Sequence, residues 1–193
     1  MMTEKGLDSA RPVQVYSPAA RTLHWLTVAL VAVMIPVGLT MVYRGTTLDI
    51  WDETTNNLYS IHKLLGFTLL WIIVVRVIYR LWHGAPPPEP TLEPWQRFGS
   101  TIVHFLLYVL ILVMPILGWL GVSYFPALDV FGLFSLPALV PPDEIAAARV
   151  LSIHATLAFV LLALVAGHAG MALYHHFVRK DNVLRRMLTG RPR

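Results

Sequence analysis

The sequence contains no cysteine in 193 residues. This absence excludes disulfides, cysteine-ligated iron–sulfur clusters and covalent attachment of a c-type haem. Any metal or metal-containing cofactor would have to be held by histidine, methionine or carboxylate side chains. Eight His and seven Met are available for that purpose.

Charge is also scarce, since only 13% of the residues are charged while 56% are hydrophobic, and the mean hydropathy is +0.61. A soluble domain of this length needs more charge to cover its surface, so the composition indicates a membrane protein. The formal net charge is +4, with basic residues at the chain ends and between apolar runs. That distribution suits a lipid surface and disfavours a nucleic-acid partner.

Four apolar runs are long enough to span a bilayer, which takes about 20 mainly apolar residues. They cover approximately residues 23–43, 59–82, 98–123 and 150–178. We therefore predict an all-α membrane protein, a four-transmembrane-helix bundle. Pro36 and Pro115 fall inside two of these runs, where bundled membrane helices tolerate proline.

The basic residues predict the orientation. They concentrate in the N-terminal tail, in the connection between the second and third spans, and in the C-terminal tail: Lys5, Arg11, Arg21, Arg80, Arg97, Arg179, Lys180, Arg185, Arg186, Arg191 and Arg193. The other two loops are mainly acidic, so both termini are predicted to be cytoplasmic. We divide the chain into a cytoplasmic tail (1–20), a transmembrane domain (21–180) and a basic cytoplasmic tail (181–193).

Two of the loops have a character of their own. Gly84–Pro94 is rich in proline, which predicts a semi-rigid connector. Residues 124–147 are aromatic and proline-rich, and we expect them to fold over the outer end of the bundle. A short amphipathic helix is expected there near Asp143–Arg149.

Histidines occur at two depths of the predicted bundle. His24 lies near the cytoplasmic end of the first span, while His62 and His154 lie near the outer ends of the second and fourth spans. His168 follows His154 by fourteen residues, which is about 21 Å along a helix and almost four whole turns. The fourth helix is therefore predicted to present two imidazoles on one face, at two levels.

Matching the depths gives an outer pair, His62 with His154, and an inner pair, His24 with His168. Each pair could supply both axial ligands of one haem, and bis-histidine ligation leaves no open iron position, which suits electron transfer. A lone histidine in a membrane helix often only hydrogen-bonds a neighbouring helix, but four at matching depths favour a functional role. His104 also lies at the inner level, and depth alone does not choose between His24 and His104.

A non-haem metal site or a proton path in a small transporter is the alternative of another class. Zinc or manganese usually takes three or four ligands, often with carboxylates. No Asp or Glu occurs inside any predicted span, which disfavours such sites and carboxylate proton relays.

The two halves of the chain share short sequence motifs and similar spacings. Ser60-Ile61-His62 in the second span has a counterpart in Ser152-Ile153-His154 of the fourth. His24 precedes Pro36 by twelve residues, and His104 precedes Pro115 by eleven. We interpret the chain as two related helix hairpins.

Several short motifs together form a distinctive pattern: Arg21-Thr22-Leu23-His24-Trp25-Leu26, Ile61-His62-Lys63, Gly66, Arg76, Arg80, His104, Pro115, Gly118, Ile153-His154, His168, His175-His176-Phe177 and Lys180-Asp181-Asn182. With them the sequence resembles the bacterial cytochrome b561 family over nearly its whole length. The resemblance implies a four-helix bundle with two haem b groups, each bis-His ligated, by His24 with His168 and by His62 with His154. It also implies a location in a bacterial cytoplasmic (inner) membrane and exchange of electrons with ubiquinone, and some members of the family oxidise superoxide.

We therefore expect a dihaem cytochrome that transfers electrons between a one-electron donor, such as superoxide, and membrane ubiquinone. In an alternative reading that keeps the haems, the chain is the membrane-anchor subunit of a larger oxidoreductase, with loop 124–147 docking a soluble partner subunit.

Four further side chains have two readings each. Arg76 either snorkels to the interface or, as we favour, pairs with haem propionates. Lys63 and Arg149 either serve the outer propionates and guide superoxide, or lie in the interface. His175 either lines a quinone site, where an imidazole donates to a quinone carbonyl, or faces lipid headgroups as we expect of His176.

Overall fold

The computed structural model describes residues 14–189. The predictions made for Lys5, Arg11, Arg191 and Arg193, and for the outermost parts of the two tails, lie outside the described residues.

The structure consists mainly of four long helices, and each is long and apolar enough to cross a membrane. They are α1 (Pro18–Val42), α2 (Glu53–His83), α3 (Pro94–Tyr124) and α4 (Glu144–Tyr174). A π-helical turn extends α1 over Tyr43–Thr47, another extends α4 over His175–Arg179, and a short helix α5 covers Arg185–Leu188. The predicted all-α, four-span membrane fold is confirmed.

Local sequence signals account for where the helices begin. Ser17 caps α1 by accepting from the backbone N–H of Ala20 at 3.2 Å, and Pro18 follows in the first turn. Asp52 caps α2 and Asp143 caps α4, each accepting at 2.9 Å from the backbone N–H three residues on. At the other end of α2, Gly84 has φ 66°, a left-handed conformation that glycine adopts without strain.

Consecutive helices run antiparallel and pack as neighbours, α1 on α2, α2 on α3 and α3 on α4. The hydroxyl groups of Ser17 and Tyr79 lie 2.8 Å apart, which joins the start of α1 to the end of α2. We call this the tail end of the bundle, since the chain enters α1 and leaves α4 there. The opposite end, where α1 passes to α2 and α3 to α4, is the loop end. The orientation prediction assigns the tail end to the cytoplasm.

The loop end carries a small hairpin that was not predicted from the sequence. Strands β1 (Asp129–Val130) and β2 (Phe134–Ser135) pair antiparallel, and Val130 is fully buried. The predicted short helix over Asp143–Arg149 is wrong as a separate element, because α4 begins at Glu144 and continues without a break. The Asp143 cap starts that helix directly from the loop, so no hinge separates its first turns from the span.

The buried core lies midway between the two histidine levels. It is formed by aliphatic side chains of all four long helices: Val31, Leu69, Ile73, Leu107, Leu110, Ile111, Met114 and Leu161. Most other apolar side chains of the helices remain exposed on the outside, as expected where lipid replaces water as the surrounding solvent.

Candidate functional site

At the loop end, His62 of α2 and His154 of α4 face each other. Their ring centroids lie 6.1 Å apart, with the ring planes at 82°. The Nδ1–H of His154 donates to the backbone carbonyl of Met114 at 3.0 Å. The Nδ1 of His62 is buried and has no hydrogen-bond partner among residues 14–189. The two rings are thus similarly placed, but among the described residues only the Nδ1 of His154 has a hydrogen-bond partner.

At the tail end, His168 of α4 contacts two other imidazoles. The ring centroid of His24 on α1 lies 6.3 Å away, with the planes at 79°. The centroid of His104 on α3 lies 5.1 Å away, with the planes at 74°. The structure therefore brings three histidines together here. Both His24 and His104 lie close enough to His168 to be its partner.

Arg76 of α2 belongs to this tail-end cluster. Its Nη2 lies 2.9 Å from Nδ1 of His24, and its Cζ lies 5.2 Å from the centroid of the Tyr108 ring. A guanidinium only donates hydrogen bonds, so Nδ1 of His24 is the acceptor in this contact. A neutral His24 then carries its proton on Nε2.

A crevice opens beside Arg76 at the tail end. It is lined by two arginines, three tyrosines and small or apolar groups: Tyr16, Ala20, Arg76, Tyr79, Arg80, Gly84, Tyr108 and Met187. Two cationic groups and several phenol hydroxyls in one concavity suit an anionic or polar ligand group.

Lys63 is held by the loop-end hairpin. Its Nζ donates to the backbone carbonyls of Ala127, at 3.0 Å, and Asp129. Nearby, the backbone N–H of Phe131 donates to Oγ of Ser60 at 3.1 Å. Arg149 is exposed on the second turn of α4. Of the two cations predicted for the outer level, one tethers the hairpin and the other lies on the surface.

A second buried polar pair lies where α4 ends. His175 Nδ1 and Asp181 Oδ2 are 2.6 Å apart, with side-chain exposures of only 4% and 5%. The hydroxyl of Thr91, in the connector, donates to the same carboxylate oxygen at 3.3 Å. His175 was predicted as a site residue from the sequence, whereas Asp181 was not predicted as its partner. The π-helical turn and the left-handed Lys180 bring the two together, and neither feature can be predicted from residue spacing.

The C-terminal segment packs against the connector. The buried Arg186 donates to the carbonyls of Gln14 at 2.6 Å and Pro87 at 2.7 Å, and lies 3.5 Å from the carboxylate of Glu89. The indole N–H of Trp25 donates to the carbonyl of Met187 at 2.9 Å. Residues 181–189, predicted to begin a basic tail, are therefore part of the folded tail end.

Comparison with known proteins gives a consistent result. A family model described as prokaryotic cytochrome b561 matches residues 15–190. Cytochrome b561 homolog 2 of Escherichia coli K12 is 33% identical over 174 residues, which cover 90% of this chain and 90% of that protein. Cytochrome b561 homolog 1 of the same organism is 29% identical, over 88% of this chain and 94% of the relative.

A third relative is named for an activity. It is the probable superoxide oxidase CybB of Yersinia pestis, which is 26% identical over 90% of this chain and 95% of its own length. The family model spans almost the whole described fold, including both histidine levels. The chain therefore belongs to the prokaryotic cytochrome b561 family of membrane electron-transfer proteins, and the cytochrome b family implies haem b.

Proposed function

We propose that this protein is a dihaem cytochrome that carries electrons across the bacterial cytoplasmic membrane, between a one-electron donor and membrane quinone. The observation that carries the proposal is the pair of imidazole couples at two levels of one bundle. His154 and His168 share α4, fourteen residues apart, so the two levels are about 21 Å apart. Each level supplies a partner from another helix.

The separations of the rings fit a haem iron. An imidazole nitrogen lies about 2 Å from a bound transition metal, so two rings on opposite sides of one iron have centroids roughly 6 Å apart. The observed 6.1 Å for His62 with His154 and 6.3 Å for His24 with His168 match that span. The 5.1 Å between His104 and His168 is short for it, which favours His24 as the second tail-end ligand.

The nitrogen atoms available as ligands also fit a haem. Because Nδ1–H of His154 donates to the Met114 carbonyl, the Nε2 lone pair of that ring remains for iron. Among residues 14–189, no group of three or more His, Asp or Glu could close around a bare metal ion. A haem needs only two protein ligands because its porphyrin supplies the other four nitrogens.

In this proposal Arg76 contacts His24 before haem binds and the haem propionates afterwards. Its contact with Nδ1 of His24 puts the proton of a neutral His24 on Nε2, the nitrogen that would bind iron. Ligation through that nitrogen would therefore require Arg76 to leave His24, and in the crevice shared by Arg76 and Arg80 its guanidinium could pair instead with the haem propionates. The bound haem then supplies the one-electron redox chemistry.

His175 and Asp181 are proposed as the quinone-facing pair. The carboxylate accepts from Nδ1–H and fixes the ring orientation, as in other histidine–carboxylate pairs. When the opposite nitrogen also carries a proton, it can donate to a quinone carbonyl and transfer that proton as the quinone is reduced. Asp181→Asn keeps an acceptor but removes the charge, and we expect quinone reduction to slow by at least about 10-fold with haem content unchanged.

The donor is assigned to the loop end. The positive-inside rule predicts that this end lies outside the cytoplasm, and the Yersinia pestis relative is named as a probable superoxide oxidase. Superoxide is an anion that gives one electron, so it fits a one-electron donor at this face. Lys63 and Arg149 are the cations proposed to attract it or to pair with the loop-end propionates, Lys63 after releasing the hairpin carbonyls.

Spectroscopy of the purified full-length protein tests the proposal. The reduced-minus-oxidised spectrum should show b-type bands, and haem extraction should give two haems per chain. Rapid mixing of the oxidised protein with superoxide should reduce the haem, and added ubiquinone should reoxidise it. A spectrum without b-type bands would refute the proposal as a whole, whereas unchanged bands after superoxide mixing would refute only the choice of donor.

A further inference from the structure

A glycine lies against each of the two loop-end imidazoles. A Cβ added to Gly38 of α1 would lie 3.2 Å from Cε1 and 3.4 Å from Nδ1 of His62. A Cβ added to Gly118 of α3 would lie 3.2 Å from Cε1 and 3.5 Å from Nδ1 of His154. Carbon atoms in optimal contact are about 3.5–4.0 Å apart, so a side chain at either position would force the ring to move by a few tenths of an ångström.

This arrangement is confined to the loop-end rings. Among the glycines of residues 14–189, no other has a histidine ring among the atoms nearest to its added Cβ. Gly167 and Gly170, on either side of His168 on α4, face open space, as does Gly99 on α3. Gly121 is tight for another reason, because a Cβ there would overlap the side chain of Leu151.

Gly118 also opens the backbone that His154 uses. In an α-helix each carbonyl points toward the residue four positions later, so the Met114 carbonyl points toward Gly118. The absence of a side chain at Gly118 lets the imidazole approach that carbonyl, and its Nδ1–H donates to it at 3.0 Å. The hydrogen bond of His154 therefore depends on the glycine at position 118.

The same spacing recurs in the other half of the chain. Met34 precedes Gly38 by four residues, as Met114 precedes Gly118, and each stretch contains a proline, Pro36 or Pro115. The two glycines therefore occupy matching places in two related hairpins, each beside the histidine of the following helix. The match is incomplete, since Nδ1 of His62 has no hydrogen-bond partner among the described residues.

We infer that Gly38 and Gly118 are positioning residues of the loop-end haem: Gly38 seats the His62 ring, and Gly118 both seats the His154 ring and opens the Met114 carbonyl to it. This inference rests on the proposed function. A hydrogen bond from Nδ1–H raises the basicity of a ligating imidazole and fixes its orientation. Gly118 therefore carries the larger effect of the two.

Single substitutions to alanine test the inference. In the full-length holoprotein, Gly118→Ala should weaken retention of the loop-end haem about 10-fold. The haem that remains should have a raised midpoint potential, because a less basic ligand stabilises ferric iron less. Its ferric low-spin electron paramagnetic resonance signal should shift as the ring turns. Gly38→Ala should shift that signal with a smaller change in potential, and the tail-end haem should stay as in the wild type.

Two matched controls lie on the same helix as Gly118. Gly99→Ala adds the same methyl group into open space and should change nothing. Gly121→Ala disturbs packing against Leu151 without reaching a ring, so it should lower thermal stability while leaving the loop-end signal in place. The signals are assigned beforehand with His154→Ala, which removes the loop-end haem.

The inference is overturned if Gly38→Ala and Gly118→Ala give loop-end signals and potentials equal to those of Gly99→Ala. It is also overturned if Gly121→Ala reproduces the changes of Gly118→Ala, because general packing would then explain them. Should Gly118→Ala fail to fold, Gly38→Ala on a different helix decides by the same readouts. A wild-type protein without b-type bands would refute the proposed function before any variant is compared.

Discussion

The two histidine levels have nearly the same ring separation but very different surroundings. At the loop end, the rings are supported by glycine and by a backbone carbonyl. At the tail end, His168 is shared between two imidazoles, and the guanidinium of Arg76 reaches His24. Ligand spacing therefore determines where a haem would fit, whereas the neighbours of the ligands would set its electronic properties.

Replacing one histidine of α4 at a time should show that the two levels bind haem separately, and this is the strongest effect we expect. His154→Ala should remove the loop-end haem and His168→Ala the tail-end haem, so each variant should contain about half the haem of the wild type. Haem extraction with reduced-minus-oxidised spectra measures this directly. His83→Ala, at an exposed histidine beyond the core, serves as the control and should keep the full haem content. Loss of both haems from either single variant would mean that the levels are not independent sites.

The next effect tests the shared ring at the tail end. Because a span of roughly 6 Å fits one iron between two rings, His24→Ala should lose the tail-end haem. His104→Ala should keep it, with at most a spectral shift. The same haem assay compares the two variants side by side. The reverse pattern would show that His104 is the true partner of His168 and that the 5.1 Å separation widens when haem binds.

The origin of these differences shows what the sequence could and could not predict. Apolar run length gave four spans, and helix periodicity gave the two levels, because both depend only on local chain geometry. Depth could not distinguish His24 from His104, since the choice depends on how α1 and α3 face α4. The hydrogen bond to Met114 and the buried Asp181 were missed, because each depends on tertiary contacts between separate segments.

The charge of Arg76 should change the midpoint potential of the tail-end haem only, and this effect is smaller. A cation near a haem disfavours the ferric state, which carries one more positive charge than the ferrous state, so Arg76→Gln should lower the midpoint potential of the tail-end haem. We expect a shift of roughly 60 mV, equivalent to a tenfold change for one electron. Redox titration measures it, and the loop-end potential should not move.

Arg80→Gln is the matched control for that titration. Arg80 lies on the same helix and lines the same crevice, but its guanidinium donates to the carbonyl of Gly84 at 3.4 Å and not to a histidine. It should give a smaller shift than Arg76→Gln. Equal shifts would indicate a general effect of positive charge in the crevice and not a specific effect of Arg76 at the haem propionates.

The smallest effect concerns ion pairs away from the histidines, where the two ends again differ. At the tail end, Arg186 and Glu89 are buried together, whereas the loop-end pair of Arg44 and Asp52 is 26% and 50% exposed. The backbone N–H of Thr55, and then Arg44, hold the pKa of Asp52 below its usual range. An exposed pair of this kind contributes little, so Asp52→Asn, which keeps a capping side chain, should lower thermal stability only slightly at pH 7.

The sign of the pH dependence follows from the lowered pKa. The ionised Asp52 stabilises the folded state above the ordinary carboxyl pKa, and this contribution is lost as the pH falls through the lower folded value. The small difference between wild type and Asp52→Asn should therefore be present at neutral pH and vanish in acid. Circular dichroism melts in detergent at a series of pH values measure it. A difference that persists unchanged in acid would mean that the Asn side chain fails as a helix cap, and that the Asp52 charge is not what stabilises the start of α2.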